Sequence, residues 1–97
     1  MWVALERFDL RIPGCGSLKE KRHVVKSLVN GLRSTFNVTV AEVDHHDLWQ
    51  RTAIAVAAVA GEQHHLRKVM HEVERYVERW REVELIGSEL SLHRPED

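Results

Sequence analysis

Val38-Thr39-Val40-Ala41-Glu42-Val43 and, beyond the polar stretch Asp44 to Asp47, Thr52-Ala53-Ile54-Ala55-Val56-Ala57-Ala58-Val59-Ala60 decide the fold. Both segments have strand length. The first alternates and is β-rich, the second is an apolar run, and the polar residues between them predict a hairpin. Upstream, Ser17 opens a helical period in which Leu18, Val25, Leu28, Val29, Leu32 and Phe36 recur at three- and four-residue steps, predicting a helix to about Ser34. Downstream, after Gly61, the residues Leu66, Val69, Met70, Val73, Tyr76, Val77 and Trp80 form a second helical stripe. Outermost, Phe8 to Ile12 alternates until Pro13-Gly14 breaks it, a strand that starts near Trp2. Val83 to His93 alternates around Leu90 and Leu92, with Gly87 as a bulge or kink. The order is β-α-β-β-α-β. That order predicts an α+β, ferredoxin-like split β-α-β arrangement, a four-stranded antiparallel sheet with both helices on one face.

The chain of 97 residues has no Gly-, Ser- or Pro-rich linker and no repeat, so residues 1–97 read as a single ferredoxin-like domain. Fourteen Lys and Arg stand against fifteen Asp and Glu, a formal net charge of −1. A nucleic-acid role therefore needs a local basic patch, because the whole chain carries no positive field. The single Cys15 closes no intrachain disulfide and the N-terminus lacks the pattern of a secretory signal, so a reducing cytoplasm is the expected setting. The apolar run Ala53 to Ala60 is far shorter than the ~18 residues of a membrane span, and no membrane role is expected.

In this topology the loop after the first strand, the hairpin and the turn after the second helix lie at one end of the sheet. Pro13 to Arg22, Asp44 to Arg51 and Trp80 to Glu82 are therefore expected to converge. The first of these, Pro13-Gly14-Cys15-Gly16-Ser17-Leu18-Lys19-Glu20-Lys21-Arg22, leads two glycines into a strongly basic helix start, and helix N-termini favour anions. Ser17 and Glu20 read as a structural capping box, the hydroxyl taking the Glu20 N–H and the carboxylate returning to the Ser17 N–H. At 100° per residue Lys19, Arg22, Lys26 and Arg33 share a sector of roughly 60°, clear of the apolar stripe. From Ser17 to Thr35 five cations (Lys19, Lys21, Arg22, Lys26, Arg33) face one acid, Glu20. This ridge is either a solvated face or an anion- or RNA-binding one. Lys21 points to the apolar side of the helix, so its stem covers the core edge or its ammonium reaches the loop cluster above the sheet.

In the hairpin Asp44-His45-His46-Asp47-Leu48-Trp49-Gln50-Arg51 the His and Asp residues match no dedicated metal spacing, and no metal or cofactor is expected. Trp49 there is a plug on the core rim, the commoner role, or an exposed stacking platform. Arg51 pairs with Asp47 or Asp44, or reaches a phosphate. Strand parity puts Phe8, Leu10, Val38, Val40, Ile54 and Val56 on the helices and leaves Ala41, Val43, Ala53, Ala55, Ala57 and Val59 on the open face. Bordered by Arg7, Asp9, Arg11, Glu89 and His93, that face reads as a homo-oligomer interface, a dimer first. It carries none of the central aromatics of an RNA-recognition sheet. Cys15 has no base or orienter beside it in the sequence, and no pair of carboxylates stands out for acid/base work, so no catalytic residue is assigned.

Ile12-Pro13-Gly14, Ser17-Leu18-Lys19-Glu20-Lys21-Arg22, Phe36-Asn37-Val38, Ala41-Glu42-Val43 and Asp47-Leu48-Trp49-Gln50-Arg51 together resemble the YlxP family of small bacterial proteins. The resemblance spans nearly the whole chain. It implies a ferredoxin-like fold and a cytoplasmic protein whose gene often neighbours those of translation initiation and ribosome-binding factors, and it implies no established activity. The expectation is a non-enzymatic, oligomeric protein that contacts RNA or a ribosome-associated partner. Lys19, Lys21, Arg22, Lys26 and Arg51 would take phosphates and Trp49 would stack. The alternatives are a binding protein or enzyme with a small anionic ligand at the first helix start, and a purely structural oligomer.

Overall fold

The two helical periods and four strand runs become, in chain order, β1 (Trp2–Arg11), α1 (Leu18–Thr35), β2 (Thr39–Asp44), β3 (Arg51–Ala60), α2 (Gln63–Glu78) and β4 (Glu84–His93). The computed structural model describes residues 1–96. The sheet order is β2-β3-β1-β4 with every neighbouring pair antiparallel, and the helices cover one face, so the ferredoxin-like α+β arrangement read from the sequence is the fold.

β1 is central and pairs with β3 from Trp2 to Arg11 and with β4 from Val3 to Arg11. Its even residues face the helices, which is why Ala4, Phe8 and Leu10 are sealed. They meet Leu28 and Leu32 of α1 and Leu66, Met70, Val73 and Val77 of α2. Gly87 does mark a bulge: opposite Asp9 and Leu10 the register slips, so that Asp9 pairs with Gly87 and Leu10 with Leu85, leaving Ile86 over. β2 is short, and it meets only Ala53 to Ala57 of β3.

Gly31 lies inside α1, where glycine costs ~1 kcal/mol relative to alanine. A Cβ there would land on the Tyr76 hydroxyl and within 3.3 Å of the Trp80 ring, so the bare backbone is what lets α2 come this close. Tyr76 links Phe36 and Trp80 into a run of rings, with centroids 5.6 and 5.7 Å apart.

The open face has the parity read from the alternation, with one correction. Val59, Val43 and Ala41 are exposed and Ala55 and Ala57 are half-buried, but Ala53 is fully buried. Ala53 stands in register between Asp9 on β1 and Asp44 on β2. Arg7 reaches across this spot to both carboxylates, at 3.1 and 3.2 Å, and the ion cluster roofs the methyl group. Leu5, upstream of the Phe8 to Ile12 alternation on the same open face, is 45% exposed and adds to the apolar centre.

Candidate functional site

The three segments expected to meet above the sheet do meet. Ile12-Pro13-Gly14-Cys15 closes as a type II turn, with Gly14 at φ 75° and the Cys15 N–H on the Ile12 carbonyl. The Ile12 N–H donates to the Gln50 carbonyl at 2.9 Å, and the Gln50 amide donates back to the Cys15 carbonyl at 3.3 Å, tying the loop to the hairpin. Arg81 and Glu82, in the turn after α2, line a groove of about 600 Å³ together with Ile12 to Cys15, Lys19, Glu20, His23 and Val24. Cys15 is buried and its thiol donates to the Ser17 carbonyl, which makes it part of the loop's packing.

Ser17 caps α1 as read, its hydroxyl accepting the Glu20 N–H at 3.1 Å. The return bond lands one residue earlier than expected: the Glu20 carboxylate accepts the N–H of Gly16, at 2.9 Å, instead of that of Ser17. With Ser17 extended (φ −160°, ψ 161°), it is the Gly16 N–H that faces the first turn.

Lys21 is the main departure from the sequence-based site. It is 1% exposed; its ammonium donates to the His45 carbonyl and lies 3.1 Å from Glu42 Oε2, which also accepts from the Thr52 hydroxyl at 2.6 Å. Of the two courses open to it, Lys21 takes the one into the loop cluster, and no phosphate on the surface can reach it. Its charge is spent on the hairpin, where His45 adopts the left-handed backbone (φ 61°) unusual for a residue other than glycine.

Lys19, Arg22 and Lys26 are exposed on the outer face of α1, and none has an ion-pair partner among the described residues. Arg33, fourth in that sector, is tied down by a 2.7 Å bond to the Val40 carbonyl. Trp49 is 51% exposed, in the six-residue loop between β2 and β3, so it does not plug the core rim. It shares a shallow hollow with Asp47, Leu48, Gln50 and Arg51, separate from the groove at Lys19. Arg51 is half-buried and pairs with neither Asp47 nor Asp44, because Arg7 has taken Asp44. The Arg7 guanidinium holds the Asp9 carboxyl below the usual range, and the His45 N–H does the same for Asp44, with Arg7 second.

Two groups escape the sequence reading. A pair of carboxyls does exist: Glu6, at an inward position of β1, is 1% exposed, and its pKa is pushed up to about 8, first by burial and then by the facing Glu74 of α2. Its Oε1 has no hydrogen-bond partner among the described residues, and it lines none of the four grooves described. The signal was its parity with Phe8 and Leu10. The other group is Arg75, Arg79 and Arg81, which border grooves beside Tyr76 and Trp80.

The fold and this loop cluster define a small α+β domain with an outward-facing basic helix start. The chain belongs to the family described as "Protein of unknown function (DUF503)", which matches residues 3–90. It is 36% identical over 69 residues, 71% of this chain and 75% of the relative, to "Uncharacterized protein YlxP" of Bacillus subtilis (strain 168). Among solved structures it is similar to a mutant of SnoaB, described as a cofactor-independent oxygenase from Streptomyces nogalater. There the TM-score is 0.46 and the identity 12%, over 96% of this chain and 90% of that one, a likeness that carries no argument about chemistry. No helix among the described residues is long and apolar enough to cross a membrane.

Proposed function

We propose that this protein is a non-enzymatic, cytoplasmic RNA-binding protein of the translation apparatus, self-associated through its open sheet face. The observation that carries the reading is the set Lys19, Arg22 and Lys26: three cations on one exposed helix face with no carboxylate to neutralise them. Lysines and arginines in the first turns of a helix oppose its dipole. A phosphate backbone offsets that cost, and Lys19 stands where the groove at the α1 start opens. Exposed Trp49, with Arg51 beside it, supplies a stacking surface near the same end of the sheet.

The test is fluorescence anisotropy of labelled ribosomal RNA across a salt series, with the wild type beside an Arg22→Glu, Lys26→Glu variant. Both side chains are exposed and unpaired, so the variant keeps its fold. Affinity should fall steeply with salt, and the variant should bind at least about tenfold more weakly, with a shallower salt slope. Equal binding by variant and wild type, or no binding at low salt, rejects the reading; saturable binding of a small anion in the groove, without RNA binding, would favour a small-ligand site.

A further inference from the structure

The groove at the α1 start is one end of a longer feature. It shares Arg81 and Glu82 with a hollow of about 550 Å³ that also takes in Arg79 and Trp80. That hollow in turn shares Arg79 and Trp80 with one of about 490 Å³ lined by Phe36, Arg75 and Tyr76 among others. The three adjoin, each sharing two residues with the next, and make a furrow that follows the end of α2 and the turn after it from the start of α1 to its C-terminal end at Phe36.

Its walls alternate two chemistries. Lys19, Arg81, Arg79 and Arg75 follow one another along it, and none has an ion-pair partner among the described residues. Partly exposed rings of Tyr76 and Trp80 stand between them, held in position by stacking on each other and by the close approach at Gly31. Four cations face three carboxylates along it, Glu20, Glu72 and Glu82, and Glu20 is turned toward the Gly16 N–H, so the lining carries a net charge of +1.

We infer that the furrow is a track for single-stranded RNA, in preference to duplex. This rests on the RNA-binding reading above and names the form of RNA. A row of cations beside partly exposed rings matches a strand whose phosphates follow the cations while unstacked bases lie on the rings. A duplex keeps its bases stacked inside and presents a convex backbone, which the outer ridge of α1 can meet but the furrow cannot use. Each hollow is within the size range of a small-ligand site, enough for a base turned out of its stack.

The experiment compares a labelled twelve-nucleotide single-stranded RNA with a duplex of the same length, by anisotropy at low salt. It uses the wild type, an Arg75→Glu, Arg79→Glu furrow variant and the Arg22→Glu, Lys26→Glu ridge variant. Arg75 and Arg79 are exposed and make no ion pair, so their replacement spares the core; an unchanged circular dichroism melting curve checks it. Single strands should bind the wild type about tenfold or more above duplex, and the furrow variant should lose that preference. Duplex binding as tight as single-strand binding, with the furrow variant indistinguishable from wild type, overturns the inference while leaving the RNA reading intact. Binding of neither RNA at low salt overturns both.

Discussion

Replacing Glu6 by glutamine should stabilise the protein at alkaline pH and leave it nearly unchanged in acid. Glu6 is sealed between β1 and α2, and its carboxyl pKa is raised from an ordinary 4.5 to about 8 by burial first and by Glu74 second. The folded state thus holds a proton that the unfolded chain releases above pH 4.5. The carboxyl's favourable contribution is complete below that value, declines as pH rises, and is exhausted once pH has passed 8. At about 1.4 kcal/mol per unit, the penalty approaches roughly 5 kcal/mol as a ceiling above pH 9 and about 3 kcal/mol at pH 7. Glutamine has the shape of the protonated acid and an amide N–H to offer Glu74, but no proton to lose. Asp9 and Asp44, both held below their usual 3.8, make their contribution above that value and lose it only as pH falls, outside this window. Urea unfolding of wild type and Glu6→Gln at each unit from pH 5 to 9 reads the difference directly, because every titrating group other than Glu6 and its neighbour Glu74 has the same surroundings in both. The gap should widen by several kcal/mol with the variant above. Parallel curves over the whole range would show that Glu6 ionises in the native state at no cost, and would refute the account of its burial.

Lys21→Met should cost about 3 kcal/mol in urea unfolding, since it strands the Glu42 carboxylate and leaves the His45 carbonyl without its cation; Lys21→Met with Glu42→Leu should recover part of that. A loss below about 0.5 kcal/mol for the single variant would mean the pair is as weak as a surface bridge. For the open face, three strands of ten residues and one of six, about 4.8 Å apart, span roughly 570 Å², under the ~800 Å² per partner of a standard interface, so a concentration-dependent dimer is expected. Light scattering on a dilution series should find it, and Leu5→Glu with Val59→Glu should abolish it, both side chains being exposed and outside the core. A wild type that stays monomeric at every concentration, or a variant that still dimerises, rejects this interface.

Most of the fold was legible because its periodicities are local. The stripe from Leu66 to Val77 could only be a helix burying those residues, and the alternation at Phe8 and Leu10 fixed which face of β1 turned inward. The same parity applied two residues upstream would have placed Glu6 in the core. What stayed hidden depends on how elements sit against one another. Ala53 looks exposed by parity, and only the reach of Arg7 to Asp9 and Asp44 covers it. Trp49 in a short polar hairpin reads as a plug or as an exposed platform, and only its 51% exposure in the folded loop decides between them. Arg75 and Arg79, in a helix face of mixed charge, look like ordinary solvated charge until α1 passes close enough at Gly31 to leave hollows beside them.

The two sequence words that carry the family resemblance, Ser17 to Arg22 and Asp47 to Arg51, turn out to be physical neighbours, and the bonds around them separate structural duty from surplus. Ser17 and Glu20 are consumed in starting α1, and Lys21 holds His45, two residues before the second word. Gln50, inside the second word, binds the loop just ahead of the first on two sides. Each of these polar groups satisfies a backbone atom that would otherwise be left unpaired as the loops close, so stability alone accounts for them. Lys19, Arg22 and Trp49 are among what remains, beside Asp47, Leu48 and the half-buried Arg51. They are exposed, they hold no hydrogen bond or ion pair shown among the described residues, and a cation in the first turns of a helix lowers stability. Nothing in the folding of this chain requires Lys19 and Arg22, and for that reason the RNA-binding proposal rests on them together with Lys26 farther along the same helix face, with Trp49 beside them, and not on Lys21, the most buried cation of the same word.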